Sequence, residues 1–175
     1  MPLVVFLRGV NVGGHKAFQP SALARDLADF DVVNLGAAGT FVVRKKVSQA
    51  ALRAALLEKL PVQAEIMICR ARDVLRLADT EPFGDITSGA GVARYVSVLA
   101  KRAAAPPSLP IARPEGADWQ VKVVTVAGRF VLSLHRRQGR RLIYPNEVVE
   151  KSFGMSATTR NWNTILAIGA ALQGD

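Results

Sequence analysis

The chain has 175 residues, of which 50% are apolar and 21% are charged, a composition that is typical of a globular protein and excludes a disordered chain. Its formal net charge of +9 at pH 7 is typical of a protein that attracts nucleic acid, acidic lipid or phosphorylated metabolites, and the alternative is a basic surface that is merely solvated. No apolar run approaches the roughly 20 residues that are needed to cross a bilayer, so no membrane partner is expected.

The expected location of the protein is the cytoplasm. Residues 1–8 lack a basic leader and a small-residue cleavage site, so they are interpreted as a strand and not as a signal peptide. Cys69 is the single cysteine, which excludes an internal disulfide and a cysteine-based zinc site. The alternating segment 66–70 predicts that Cys69 occupies a buried position on a strand.

The first 80 residues show the order strand, helix, strand, strand, helix, strand. Hydrophobic periodicity and turn-forming residues predict strands at about 3–10, 32–35, 40–44 and 64–69, and helices at about 20–30, 48–60 and 71–78. Ser48 is expected to cap the second helix. This order is that of the ferredoxin-like βαββαβ arrangement, an antiparallel sheet with helices on one face.

Residues 80–91 are rich in turn-forming residues and predict a boundary. The predicted domains are residues 1–80 and 92–175, joined by a linker at 81–91. In the second domain the pattern predicts strands at 92–99, 121–126 and 129–134, an extended loop at 101–116, a hairpin at Ala127-Gly128, and helices at about 146–153 and 159–173 separated at Gly154. The predicted fold class is α+β with two small subdomains, the first ferredoxin-like and the second a related sheet followed by two C-terminal helices.

The first candidate site is the glycine-rich stretch that follows the first strand. Glycines let backbone N–H groups point into one anion-binding concavity, and basic side chains add positive charge. The residues predicted to contact a ligand here are Arg8, Asn11, Gly13, Gly14 and Lys16. Their spacing matches neither the phosphate-loop nor the dinucleotide signature. The alternative is therefore a sharp turn in which Arg8 pairs with nearby carbonyls or a carboxylate.

The second candidate site is the segment SATTRNWNT at residues 156–164. Trp162 falls on an apolar helical stripe and is predicted to be a core anchor. Arg160, Asn161 and Asn163 are predicted to surround the first turn of the final helix, whose positive end favours an oxyanion such as phosphate, carboxylate or a nucleic-acid backbone. The alternative is that Arg160 and Asn161 clamp this helix to the first unit.

The third candidate site is the basic run HRRQGRR at residues 135–141. Four arginines around a glycine form a patch that can follow a polyanion backbone, namely Arg136, Arg137, Arg140 and Arg141. Few aromatic residues accompany the run for stacking on bases. The alternative is a solvated basic hairpin.

No catalytic or metal-binding motif stands out. His15 and His135 are the two histidines, and neither lies in a metal-ligand spacing. A serine-hydrolase elbow is missing, and Asp26, Asp29 and Asp31 are interpreted as exposed turn acids. No metal or cofactor is predicted, no catalytic residue is assigned, and whether the protein is an enzyme stays open.

Three stretches of the sequence resemble the bacterial family called domain of unknown function 1697. They are FLRGVNVGG at residues 6–14, VEKSFG at 149–154 and ATTRNWNT at 157–164, and the order of elements between them also fits. One place departs from the family pattern, because Ala38-Gly39-Thr40 stands where serine-glycine-asparagine is expected. The resemblance implies a two-part α+β fold with ferredoxin-like character, and it implies no activity, cofactor or catalytic residue.

The preferred interpretation is a non-enzymatic binding protein with an anion-binding cleft between the two subdomains, for a phosphate or a nucleic-acid backbone. A second interpretation is a small enzyme that acts on a phosphorylated or carboxylated metabolite, with His15 as its base. A third is that the motifs are purely structural and fasten the two units together. The sequence predicts no particular oligomeric state.

Overall fold

A computed structural model describes residues 1–10, 18–86 and 91–174, and this part of the chain is a mixed α+β protein with two antiparallel sheets and five helices. The strands are β1 (Leu3–Arg8), β2 (Val32–Asn34), β3 (Thr40–Val43), β4 (Glu65–Arg70), β5 (Val92–Leu99), β6 (Ile111–Arg113), β7 (Val121–Ala127), β8 (Phe130–Arg136) and β9 (Ala157–Asn161). The helices are α1 (Pro20–Asp26), α2 (Gln49–Lys59), α3 (Ala71–Asp79), α4 (Pro145–Phe153) and α5 (Trp162–Gln173).

The chain divides into two compact units. Unit 1 comprises Met1–Asp79 with Leu166–Asp175, and unit 2 comprises Thr80–Ile165, so the boundary between them falls within α5. The division predicted from the sequence, with a linker at 81–91, stays a prediction. Residues 87–90 of that linker lie outside the described residues.

Unit 1 contains a four-stranded sheet in the order β2-β3-β1-β4, in which neighbouring strands are antiparallel. Helices α1 and α2 bury Leu23 and Leu56 in the same core cluster as Phe41 of β3. Ser48 caps α2 as predicted, since its side chain accepts a hydrogen bond from the Ala51 N–H at 3.1 Å. The predicted burial of Cys69 on a strand is also confirmed.

Unit 2 contains a five-stranded antiparallel sheet in the order β6-β7-β8-β5-β9. Helix α4 buries Val148 and Val149 in one core cluster with Leu99, Val131 and Ala157 of the sheet. Strand β5 pairs with β8 on one side and with β9 on the other. This position of β5, between β8 and the edge strand β9, decides which side chains meet at the end of the sheet.

The structure corrects the predicted C-terminal helices. Residues 159–161, predicted as helix, belong to β9, and α5 begins only at Trp162. The β-branched side chains of Thr158 and Thr159 favour a strand, and pairing with β5 supplies partners for the backbone groups. Unit 2 is therefore not a sheet followed by two helices, because a strand of the sheet lies between α4 and α5.

Two smaller differences between the sequence prediction and the structure lie in the same sheet. The predicted loop at 101–116 contains β6, which pairs with β7 at the edge of the sheet. The two-residue hairpin loop is Gly128-Arg129 and not Ala127-Gly128, because Ala127 still pairs with Phe130. Gly128 adopts a φ of +63°, which glycine tolerates without strain.

We expect Gly39→Ala to destabilise the protein by about 3 kcal/mol, because a Cβ there adds overpacking to backbone strain. Gly39 has a φ of +80°, and an added Cβ would lie 2.9 Å from the Leu7 Cβ. Gly36→Ala is the matched control, since Gly36 has a φ of +89° and open space around it. Urea denaturation should show a loss of only about 1 kcal/mol for the control, and equal losses would contradict the packing argument.

Candidate functional site

A cavity of about 460 Å³ in unit 2, which we call the strand-end pocket, is the candidate site. It lies where β5 begins and where β8 and β9 end. Its polar side chains come from stretches that are distant in the sequence, namely Arg94, Tyr95, His135, Arg137, Asn161 and Asn163. The pairing of β5 with both neighbours brings them together, since Tyr95 lies opposite Ser133 on one side and Asn161 on the other.

Arg94 is the most unusual group in the strand-end pocket. Its Nε atom is buried and makes no hydrogen bond within residues 1–10, 18–86 and 91–174. Its guanidinium carbon lies 5.7 Å from the ring centroid of Phe83, a cation–π distance. Contact with an aromatic ring satisfies no N–H donor, so the fold leaves this arginine able to donate to an acceptor.

His135 is buried in the pocket wall with one ring nitrogen engaged. Nε2 lies 2.9 Å from the carbonyl oxygen of Ile143, and because a carbonyl can only accept, Nε2 carries the hydrogen. Burial lowers the pKa of the imidazole, the hydrogen bond to Ile143 raises it, and the charge of Arg137 lowers it. The net effect is a lowered pKa, so His135 is neutral at pH 7 and its Nδ1 lone pair is a proton or hydrogen-bond acceptor.

Two asparagines form the third side of the strand-end pocket, at the start of α5. The Asn161 side-chain oxygen accepts a hydrogen bond from the backbone N–H of Asn163 at 2.8 Å, which caps the helix. The partial positive charge of a helix N-terminus favours an anion nearby. Trp162 between them is buried as predicted, and its ring meets that of Phe83 edge-on at 5.2 Å.

The first candidate site of the sequence analysis falls mostly outside the described residues. Asn11, Gly13, Gly14 and Lys16, together with His15, belong to the undescribed stretch 11–17. Arg8 is described, and its Nη1 lies 3.3 Å from the Glu65 Oε1 in a half-exposed ion pair within unit 1. This pair agrees with the alternative in which Arg8 meets a carboxylate. A ligand cleft between the subdomains stays a prediction.

Arg160 is part of the sheet and not of the first turn of α5, because the helix begins at Trp162. The residue is only 6% exposed, and its Nη1 donates to the Thr158 hydroxyl at 2.7 Å and to the Thr159 carbonyl oxygen at 3.0 Å. Burial lowers the pKa of the guanidinium to about 10, which leaves it charged at pH 7. These contacts give Arg160 a structural role in unit 2.

The four arginines of the basic run have different surroundings. The Arg136 guanidinium stacks on Trp119 at 3.8 Å from its ring centroid and donates to its carbonyl oxygen at 2.9 Å. Arg137 lines the strand-end pocket, whereas Arg141 lines a separate cavity of about 530 Å³ beside α4. Arg140 is exposed. Binding of a polyanion by all four stays a prediction.

Sequence reasoning missed Arg94, Tyr95 and His135 as site residues. A signal was present, because Arg94 and Tyr95 interrupt the apolar β5 segment VARYVSVL. Within the described ranges, no group of three or more His, Cys, Asp or Glu side chains could hold a metal ion. No helix in the part of the chain that the structure describes is long and apolar enough to span a membrane.

The imidazole of His135 should titrate below 6.5, the ordinary histidine pKa, when followed by its Cε1–H signal in an NMR pH titration. We expect Arg137→Ala to raise the midpoint, because removal of a positive charge makes the imidazolium easier to form. A His15→Ala variant assigns the two histidine signals. A wild-type midpoint at or above 6.5 would contradict the buried, neutral state.

Arg160→Ala should lower the free energy of unfolding by about 3 kcal/mol, because it removes a buried side chain and leaves its acceptors without their donor. Asn163→Ala is the control, since Asn163 is exposed and its loss should change stability by less than about 0.5 kcal/mol. Thermal and urea denaturation measure both. An Arg160→Ala protein with the wild-type free energy of unfolding would show that this arginine does not stabilise the fold.

Comparisons with known proteins identify the family and the fold. The chain is similar to the solved structure of the conserved bacterial protein SP0830 from Streptococcus pneumoniae, with 15% identity, 98% of each chain covered and a TM-score of 0.60. At that identity the likeness shows the fold alone. No curated protein matches the sequence. The family model described as "Protein of unknown function (DUF1697)" matches residues 1–127, so the chain belongs to this family, which confirms the resemblance seen in the sequence.

Proposed function

We propose that the protein binds a small oxyanion compound, with a phosphate or carboxylate group, in the strand-end pocket. Arg94 carries the proposal, since its Nε is buried without an acceptor among the described residues. A buried donor that has lost water without gaining a partner destabilises a protein by about 1–3 kcal/mol. An anion that enters the pocket would remove this cost by accepting from the guanidinium.

The rest of the strand-end pocket suits the same ligand. Arg137 adds a second guanidinium, and Asn161 lies at the positive end of α5. A volume of about 460 Å³ lies within the usual range for small-molecule sites, about 300–1,000 Å³. A small compound therefore fits this pocket better than a nucleic-acid backbone does.

An enzyme that acts on such a compound is the second candidate function, and His135 favours it. The neutral imidazole lines the same pocket as Arg94 and Arg137, with its Nδ1 lone pair not engaged by the described part of the chain. A general base needs this protonation state beside its substrate. His135 is a second candidate base, and His15, which lies outside the described residues, stays a prediction.

We also propose that unit 1 is a ferredoxin-like subdomain. Its element order β1-α1-β2-β3-α2-β4 and its sheet order β2-β3-β1-β4 support this arrangement. The fold class alone implies no function, because the same arrangement serves many unrelated ones. Cytoplasmic location stays a prediction from the sequence.

Calorimetric titration of inorganic phosphate, alkyl phosphates and short carboxylates into the protein tests the proposed function. We expect saturable binding of at least one probe, weakened about tenfold or more by Arg94→Ala and by Arg137→Ala, because each removes charge-assisted hydrogen bonds. Arg140→Ala is the matched control, since Arg140 lies in the same basic run, is exposed and does not line the pocket. Circular dichroism confirms that each variant is folded.

Two results would contradict the proposed function. One is the lack of saturable binding by every probe. The other is a loss of affinity for Arg140→Ala as large as that for Arg137→Ala, which would indicate diffuse attraction to a basic surface.

A further inference from the structure

The polar side chains of the strand-end pocket are mostly hydrogen-bond donors. Arg94 and Arg137 carry guanidinium groups, which donate and never accept. The Asn161 side-chain oxygen already accepts one hydrogen bond, from the Asn163 N–H, and the Asn161 amide group adds two further donors. Tyr95 and Asn163 can each donate or accept a hydrogen bond, so they do not restrict whether a ligand presents donors or acceptors.

His135 is different, because its available atom can only accept. Its Nε2 hydrogen is used on the Ile143 carbonyl oxygen, which fixes the tautomer with a bare Nδ1. The rings of Tyr95 and Tyr144 flank the imidazole, with centroids 5.9 and 6.1 Å away. No hydrogen bond to Nδ1 is formed within residues 1–10, 18–86 and 91–174. A ligand that presented only acceptors would leave this lone pair buried without a partner.

We propose that the ligand of the strand-end pocket is a hydroxylated oxyanion, whose anionic group accepts from Arg94 and Arg137 and whose hydroxyl donates to the Nδ1 of His135. Sugar and polyol phosphates and hydroxy acids share this chemistry. The inference rests on the proposed function, because it assumes that the pocket binds an anion. The inference adds the class of compound to the proposed function, and it assigns His135 as the residue that selects hydroxylated compounds.

Matched pairs of probes that differ only by hydroxyl groups test the inference. Glycerol 1-phosphate is compared with propyl phosphate, and glycerate with propionate, by calorimetry at pH 7.5. In whichever pair binds, we expect the hydroxylated compound to bind about three- to tenfold more tightly than the compound without hydroxyl groups, which is the range for one neutral hydrogen bond. The phosphate and carboxylate pairs together show which anionic group the pocket takes.

His135→Phe keeps an aromatic ring in the packing and removes the acceptor. We expect this variant to bind both members of a pair equally, while Arg137→Ala weakens both and keeps their ratio. A His135→Phe protein that retains the wild-type preference would overturn the role of His135.

The wild-type protein at low pH provides a second measurement that needs no variant. Protonation of His135 gives Nδ1 a hydrogen that any acceptor can take, including the oxyanion of a probe without a hydroxyl, so the ratio between the two members of a pair should fall well below pH 6.5. The charged and titratable groups around the imidazole in the described part of unit 2 are Arg94, Arg137, Tyr95 and Tyr144. The phosphate pair is used for this measurement, because its two members ionise over nearly the same pH range, whereas glycerate is a stronger acid than propionate.

The outcomes separate this inference from the proposed function. Equal affinity within each pair at pH 7.5, with binding still dependent on Arg137, would overturn the inference and leave the proposed function standing. No binding of either pair would overturn both.

Discussion

The antiparallel pairing of β5 with β8 and with β9 is the constraint on which the candidate site depends. It places Tyr95 opposite Asn161, although the two residues are 66 positions apart in the sequence. It also places Ala93 opposite His135, next to Arg94. A strand between two neighbours offers both sides of its backbone to pairing, so three stretches of chain meet at one end of the sheet.

Two arginines of this sheet differ in whether the fold supplies partners for their guanidinium groups. Arg160 lies on β9 and finds the Thr158 hydroxyl and the Thr159 carbonyl oxygen at hydrogen-bonding distance. Arg94 lies on β5 at the pocket and has a buried Nε without a partner in the described part of the chain. Both side chains are cations in a sheet, yet only Arg160 of the two donates hydrogen bonds to neighbouring acceptors among the described residues. The proposed function follows from this difference, since a bound anion would supply an acceptor for Arg94.

The protonation state of His135 follows from the same end of the sheet. The His135 imidazole lies beside the Ile143 carbonyl oxygen, which accepts a hydrogen bond from Nε2. Burial and the positive charge of Arg137 disfavour the binding of a second proton by the imidazole. The pocket therefore holds donors on its arginines and an acceptor on its histidine. This mixture is more selective than a purely basic surface, because a compound must present groups of both kinds to satisfy it.

Much of the fold could be predicted from local sequence. The alternating residues 66–70 predicted that Cys69 is buried on a strand, and the hydroxyl of Ser48 predicted the cap of α2. Both are short-range signals, and both predictions are confirmed. The C-terminal prediction failed at residues 159–161, because hydroxyl and amide side chains before an apolar helical stripe are typical of a helix N-terminus, while the partner strand of these residues lies far away in the sequence. Only tertiary pairing could decide between helix and strand there.

The candidate site was predictable only in part, for the same reason. Arg137, Asn161 and Asn163 were found from local concentrations of polar residues, and all three line the strand-end pocket. Arg94 looked like one charge in an apolar strand, and His135 looked like the start of a basic run. The sequence by itself determined which donors and acceptors the chain carries and where most of its helices and strands form, through periods of 3.6 and 2 residues. Only the tertiary structure decided which of these groups are satisfied within the fold and which stay available, because hydrogen-bond partners are chosen by distance in space and not by distance along the chain.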